Sequence, residues 1–428
     1  MREKKNSGIE WIGDIPSEWN LKRNKVVFSC SKEVVGNNSA NTQLLSLTTR
    51  GVKLKSQDTL GGKTPESFDT YQYVNKDDII MCLFDLDCSA VFSGISPYDG
   101  MISPAYKILK CRESVYPQYA DYWFSFVFID RKFKSYAKNL RYTLNYDEFA
   151  DLLMICPSYA EQKKIAGFLD EKCVEIDTVI EKTKATIEEY RKLKQSVITQ
   201  AVTKGIRPNR PMKDSGIEWI GEVPADWNVV KASRLVVSTQ NGLSRRDLEK
   251  SDGQIVLKLK NISPDGKISY SEINRIELTN KEIETYSLED GDFLFVRVNG
   301  SKNLVGKCAI YKDISEIVAY NDHIIRVRLN EICNKRYFQY YLQSSSGKTE
   351  IDLHTSTAAG QFTISGEGLR DLYIVLPLND EQNELADYLD KKCSEIDELI
   401  AKKTSLLSEL EGYKKSLIYE YVTGKKEV

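Results

Sequence analysis

The residues able to do chemistry in this chain of 428 are mostly cations set among aromatics and amides. Arg131-Lys132-Phe133-Lys134-Ser135-Tyr136 leads on to Arg141-Tyr142. Such a run offers ammonium and guanidinium groups to phosphates and ring faces to bases, although it would also serve as a solvated helix face. Arg50 and Lys53 follow an apolar run that reads as a strand, and Arg245 and Arg246 close a polar loop that begins at Asn241. Lys258, Lys260 and Asn261 stand at another strand end. Arg297, Asn299, Ser301 and Lys302 follow a third, where Arg and Asn could each make paired hydrogen bonds to a purine edge. Thr355, Ser356 and Gln361 belong to a small polar loop after His354. Residue types alone do not separate base contacts from phosphate contacts.

Catalytic constellations are poorly represented. His323 and His354 are the two histidines, which disfavours a histidine metal site or a nucleophile–histidine triad. Gly61-Gly62-Lys63-Thr64 has the tail of a phosphate loop, but Gln57 stands where its first glycine belongs. Gly366-Glu367-Gly368 reads as a loop, Cys82 and Cys88 as core thiols. The Asn/Asp-Pro-Pro-aromatic tetrapeptide with which amino-methyltransferases hold a target base does not occur. The expectation is a non-catalytic chain with no metal and no cofactor of its own.

Composition describes an ordinary globular protein of about three domains, 41% hydrophobic and 29% charged. A formal net charge of −2 makes a nucleic-acid partner depend on how the cations cluster. Nine cysteines without a Cys-x-x-Cys pair suggest reduced thiols and a cytoplasmic location. No apolar run approaches the ~20 residues of a membrane span, and no apolar signal core follows Met1-Arg2-Glu3-Lys4-Lys5.

The elements that must position these cations are announced by two internal repeats. The stretch from Pro157 to Gly205 returns 220 positions later: Glu161-Gln162 as Glu381-Gln382, Leu169-Asp170 as Leu389-Asp390, Asp177 as Asp397, Val202-Thr203 as Val422-Thr423. Apolar residues at Ile165, Leu169, Cys173, Ile176, Ile180 and Ile187 step by three and four, and Leu385, Leu389, Cys393, Ile396, Ile400 and Leu407 repeat the pattern. Each copy therefore reads as one helix of about 65 Å with a narrow apolar seam. A lone helix of that kind needs a partner; the matched register and equal length favour the other copy over two unrelated surface helices or a coiled coil between chains. The second repeat is shorter: Ser7-Gly8-Ile9-Glu10-Trp11-Ile12-Gly13, with Pro16 and Trp19, returns 208 positions later as Ser215 to Gly221, with Pro224 and Trp227.

The expected fold is α+β, with two α+β globules separated by two long antiparallel helices and a circular pseudo-twofold internal repeat. Its parts are an N-terminal tryptophan segment (1–20), a first globule (21–156), a central helix (157–206), a joint with the repeated tryptophan segment (207–228), a second globule (229–376) and a C-terminal helix (377–428). The circular order predicts that the two chain ends meet. The globules share little residue-by-residue similarity, as two readers of different targets would.

This plan resembles the specificity subunit of a Type I restriction–modification system. The most specific elements are the tryptophan segment 215–227, the Pro-x-x-x-Glu-Gln starts at Pro157 and Pro377, and Gly291-Asp292-Phe293-Leu294 with Arg297 and Gly306-Lys307. The resemblance implies that each globule is a target recognition domain reading half of a split site in double-stranded DNA. It implies that the coiled coil sets the gap between the half-sites. It implies as partners two adenine-N6 methyltransferase subunits, which use S-adenosylmethionine, and ATP-driven restriction subunits, with no membrane. A coiled-coil interaction scaffold with two peptide-binding globules is the alternative.

Overall fold

The computed structural model describes residues 2–56, 67–137, 142–245, 252–263, 265–358 and 360–428. The chain divides into two compact units, Met1–Lys184 with Ser405–Val428, and Ala185–Thr404. Each unit holds one tryptophan segment, one α+β globule and part of both long helices, which run Tyr159–Lys204 and Asn379–Val422.

In the first unit the tryptophan segment is a hairpin, Lys4–Asn6 against Asp14–Pro16, that buries Ile12, Ile15 and Trp19. A four-stranded sheet follows in the order Phe28–Ser31, Lys107–Cys111, Ile79–Met81, Ser93–Ile95. Ile79-Ile80-Met81 is fully buried because both faces of this sheet are covered. Ile79 and Met81 face a core built on the helix Pro117–Phe128, whereas Ile80 faces a second core with Leu45, Leu47 and Val74. Alternation of side chains along a strand is what feeds two cores from one run of apolar residues. The outer layer is a second four-stranded sheet, Gly51–Lys55, Leu44–Thr48, Gly100–Ile102, Gln72–Val74.

The second unit follows the same plan. Its central sheet has the order Val236–Asn241, Ile324–Leu329, Phe293–Val296, Cys308–Ile310. Phe293 and Phe295 face the core of helix Lys335–Gln343, while Leu294 and Val296 face the core of the outer sheet. That outer sheet has three strands, Asn274–Ile276, Gln254–Leu257 and Val318–Tyr320. A further helix, Ser345–Leu353, was not legible in the sequence. The helix Pro117–Phe128 continues as 3₁₀ turns to Tyr136.

Within each unit the two long helices run antiparallel. Phe168 meets Tyr421 and Lys414 pairs with Asp177 in the first unit; Lys194 pairs with Asp397 and Arg207 with Glu384 in the second. The expected seam is buried at Ile165, Leu169, Cys173, Ile176, Ile180 and Ile187, and at Leu385, Leu389, Cys393 and Ile396. The chain ends do meet, inside the first unit. Tyr119 bonds the carbonyl of Val422, Lys425 bonds that of Asp14, and Arg2 pairs with Glu427. Each long helix stops at a glycine in the left-handed region, Gly205 (φ 77°) and Gly424 (φ 68°). A Cβ there would press on Trp227 or on Pro16 and Trp19, so glycine both ends the helix and admits the tryptophan segment. Among the described residues no helix is long and apolar enough to cross a membrane.

Candidate nucleic-acid interface

The cations are presented by a frame that is built twice from matching residues. Trp19 donates its indole N–H to Glu161 at 3.0 Å, and Trp227 donates to Glu381 at 2.8 Å. Arg2 bridges Glu161 and Glu18, as Arg210 bridges Glu381 and Asp226. The carboxylate of Glu381 raises the pKa of Arg210 by accepting its hydrogen bond. Gln162, fully buried at the start of the first long helix, accepts from Tyr116 N–H and donates to the carbonyls of Ser114 and Pro157. Gln382 does the same with Asn334, Ile332 and Pro377. Tyr122 donates to Asp170 and Tyr340 to Asp390, at 2.8 and 2.7 Å. Arg207 and Arg210 tie the Pro-rich joint to the second long helix, so this stretch is anchored rather than loose.

These pairs expose an equivalence that reading by residue similarity missed. Tyr119 and Tyr122 correspond to Tyr337 and Tyr340 at a shift of 218, between the 208 of the tryptophan segments and the 220 of the long helices. The shift grows from 208 to 218 between the tryptophan segment and this helix, so most of the extra residues of the second globule lie in that stretch. A Tyr-x-x-Tyr pair in each helix was the available signal. It goes unnoticed when one fixed shift is sought.

The equivalence sorts the candidates. In the first globule Arg50 and Lys53 are exposed on the hairpin Leu44–Thr48/Gly51–Lys55. Lys132 lies over the rings of Trp11 and Phe126 at 5.7 and 5.3 Å. Its counterpart at the same shift is Glu350, a fully buried carboxylate that accepts from Trp219 at 2.7 Å. Both side chains fasten a tryptophan segment to its globule. Lys134 covers the ring of Tyr142 at 4.3 Å. Arg141 and Arg246, and the Gly61–Thr64 run, lie outside the described residues.

In the second globule Arg245 is held by both oxygens of Glu282 and by the carbonyl of Glu277, so its fork is engaged within the protein. Asn261 is buried, with its amide bonded to the carbonyls of Ser269 and Glu272 and its oxygen to Lys258 N–H. It shapes a turn and has no group left for a base. Lys260 pairs with Glu272 and Lys302 with Asp352, both at the surface. Lys258 is half-buried beside that turn. Cys82 is buried as expected of a core thiol, whereas Cys88 is exposed in a turn.

The structure brings together candidates from three separate segments. Val298–Asn299, Gln361–Thr363 and Ser356–Ala358 form one small sheet, with Asn299 opposite Phe362 and Ser356 opposite Thr363. Asn299 turns its oxygen onto Ser301 N–H, and Arg297 donates to the carbonyl of Asp322. Thr355 donates back to Ile351 at the helix end. Ser356 and Gln361 are exposed at the tip. Gly360 has φ 77°, and Tyr142 in the first globule has φ 44°.

Each unit is thus a three-layer α+β globule hung on paired long helices, with cations and amides in its loops. Residues 226–409 match the family model of the Type I restriction modification DNA specificity domain. The StySPI specificity subunit of Salmonella potsdam is 33% identical over 247 residues, 55% of this chain and 50% of that subunit. The EcoKI specificity subunit of Escherichia coli (strain K12) is 28% identical over 244 residues, with the same coverage. The matched stretch thus spans about half the length of these curated relatives. A chain from a solved structure on complex assembly and conformational transition of the type I R-M system superposes with a TM-score of 0.69. It covers 96% of this chain and 99% of its own at 14% identity, a likeness of fold. Over residues 226–409 the chain is thus similar to the DNA specificity domain of Type I restriction–modification systems.

Proposed function

We propose that this chain confers DNA sequence specificity on a Type I restriction–modification complex and carries no catalysis of its own. The observation that supports this most is the twice-built frame: the same Trp–Glu, Gln and Tyr–Asp contacts hold two globules whose exposed loops differ. Identical mounting with different surfaces suits two readers of two half-sites. Arg50, Lys53, Lys134 and Tyr142 would serve one half-site; Arg297, Asn299, Ser301, Lys302, Thr355, Ser356 and Gln361 would serve the other. The unbroken long helices would set the unread gap, and inserting a helical turn in both would widen it by one or two base pairs.

The proposal includes two methyltransferase subunits that use S-adenosylmethionine, ATP-driven restriction subunits, and a cytoplasmic setting. Paired exposure on the long helices supports a twofold partner. Val179 and Leu399, and Leu193 and Tyr413, are exposed apolar residues 220 positions apart. The same chemistry is thus offered twice for a pair of identical subunits to cover.

A genome-wide map of N6-methyladenine, with and without the gene, tests the reading. Loss of one split motif, two short half-sites around a fixed gap, is the expected result. Loss of an unsplit motif would contradict the two-reader model. Exchange of residues 229–376 for another globule should change one half-site only.

A further inference from the structure

A cavity of about 740 Å³ in the second unit is lined by residues of the first long helix, of the loop 302–308 and of the helix Ser345–Leu353. Its origin is local. Gly306 adopts φ 73°, and a Cβ there would lie 2.2 Å from Ile351, so only glycine lets the helix approach this closely. Lys348 lies three residues before Ile351 on the same helical face, and Lys307 follows Gly306. The close approach therefore brings two ammonium groups to one wall.

The charges of that wall do not cancel. Each of its carboxylates already has a cation: Asp352 faces Lys302, Asp397 faces Lys194, and Asp265 faces Lys267. The Lys348 ammonium donates to the neutral amide oxygen of Gln195. Among the described residues no carboxylate pairs with Lys307 or Lys348. Burial lowers the pKa of Lys307; burial, and then the charge of Lys307, lower that of Lys348. Two neighbouring cations held without a counter-charge favour an anion that supplies it.

We propose that this cavity is a phosphate-binding site, with a backbone phosphate of the recognised duplex as its ligand. Lys302 and Asn303 on its rim continue directly from the strand Val298–Asn299, so a duplex read at that strand would carry its backbone past the cavity. The duplex source rests on the DNA-reading function proposed above; the phosphate chemistry does not. A phosphate held here would fix register and leave the bases unread.

The test uses the full chain and the double variant Lys307→Met/Lys348→Met, with Lys348→Gln as a milder second variant. With the methyltransferase partner present, duplex binding is measured across a salt series on the methylated motif and on an unrelated sequence. The double variant should flatten the slope of log K against log salt by about one, equally on both sequences, with the motif unchanged. Separately, sodium tripolyphosphate should raise the Tm of the wild-type chain and not of the variants. An unchanged slope with a tripolyphosphate effect would overturn the duplex and keep a free phosphate ligand. An unchanged slope with no tripolyphosphate effect would overturn the site. Wild-type protein that binds no duplex would count against the function proposed above, and the tripolyphosphate arm alone would then decide the cavity. Without anion the variants should melt no lower than wild type, because repulsion between the two lysines is removed.

Discussion

The hydroxyl of Tyr119 reaches the carbonyl of Val422, a residue 303 positions away, and lies equally close to that of Ile155, 3.2 Å in each case. Tyr337 repeats the arrangement with Val202 and Val375, at 3.3 and 2.8 Å. One buried hydroxyl thus joins a globule to the end of a long helix and to the strand that leads into the other. Tyr119→Phe and Tyr337→Phe should each cost about 1–2 kcal/mol, and the two losses should add, since the sites lie in different units. Denaturant titration checks this; a loss below about 0.3 kcal/mol in both would show that the bonds contribute nothing net.

Removal of the tryptophan-binding carboxylates should be unequal. Arg210 and Glu381 are 12% and 7% exposed, against 36% and 20% for Arg2 and Glu161. Glu381→Ala leaves a nearly buried guanidinium with only the exposed Asp226 and the Trp227 indole N–H without its acceptor; it should cost about 3 kcal/mol, while Glu161→Ala should cost about 1. Equal melting shifts would mean that burial does not set the difference.

Asp121 provides a pH signature. Burial raises its pKa to about 6, only partly offset by the bond from Ile95 N–H, and nearby Asp170 adds to the rise. A carboxyl whose folded pKa lies above its unfolded value binds more protons when folded. Its contribution to stability is therefore best at low pH and is lost as pH rises from about 4 towards 6. Asp121→Asn, which can still accept from Ile95, should stabilise the protein at pH 7 by about 1–2 kcal/mol and have no such effect at pH 4. The corresponding residue of the second globule is the neutral Gln339.

The inter-helix ion pairs should contribute register rather than stability. Lys194–Asp397 and Lys414–Asp177 are the same pair moved by 220 positions, each with an aspartate about half exposed. Double-mutant cycles should return about 0.2–1 kcal/mol for each. Reversing one residue of a pair should destabilise, and reversing both should restore most of the loss. A coupling above about 2 kcal/mol would contradict the exposed geometry.

Tyr142 holds a left-handed backbone, with φ 44°. For a tyrosine this conformation costs on the order of 1 kcal/mol, and such strain clusters at functional sites. Tyr142→Gly should leave the melting temperature within a few degrees, since relief of strain offsets lost packing. Methylation of one half-site should nevertheless fall several-fold. Unchanged methylation would place Tyr142 outside the reading surface.

The sequence by itself determined the long helices, the two tryptophan segments and the circular order. Those features rest on periodicity and on repeats, which local spacing carries. In the globules the apolar runs ahead of Arg50 and Arg297 were legible as strands, and they are Leu44–Thr48 and Phe293–Val296. Burial and pairing were not. Lys132 and Asn261 have residue types suited to DNA, yet one packs on Trp11 and the other closes a turn. Conversely, Lys348 is unremarkable in sequence, and Lys307 stands out there only as part of the Gly306-Lys307 pair that carries the resemblance. They become neighbours only because Gly306 admits Ile351. Which charges find a partner depends on contacts between distant segments, and that was decided by the tertiary structure.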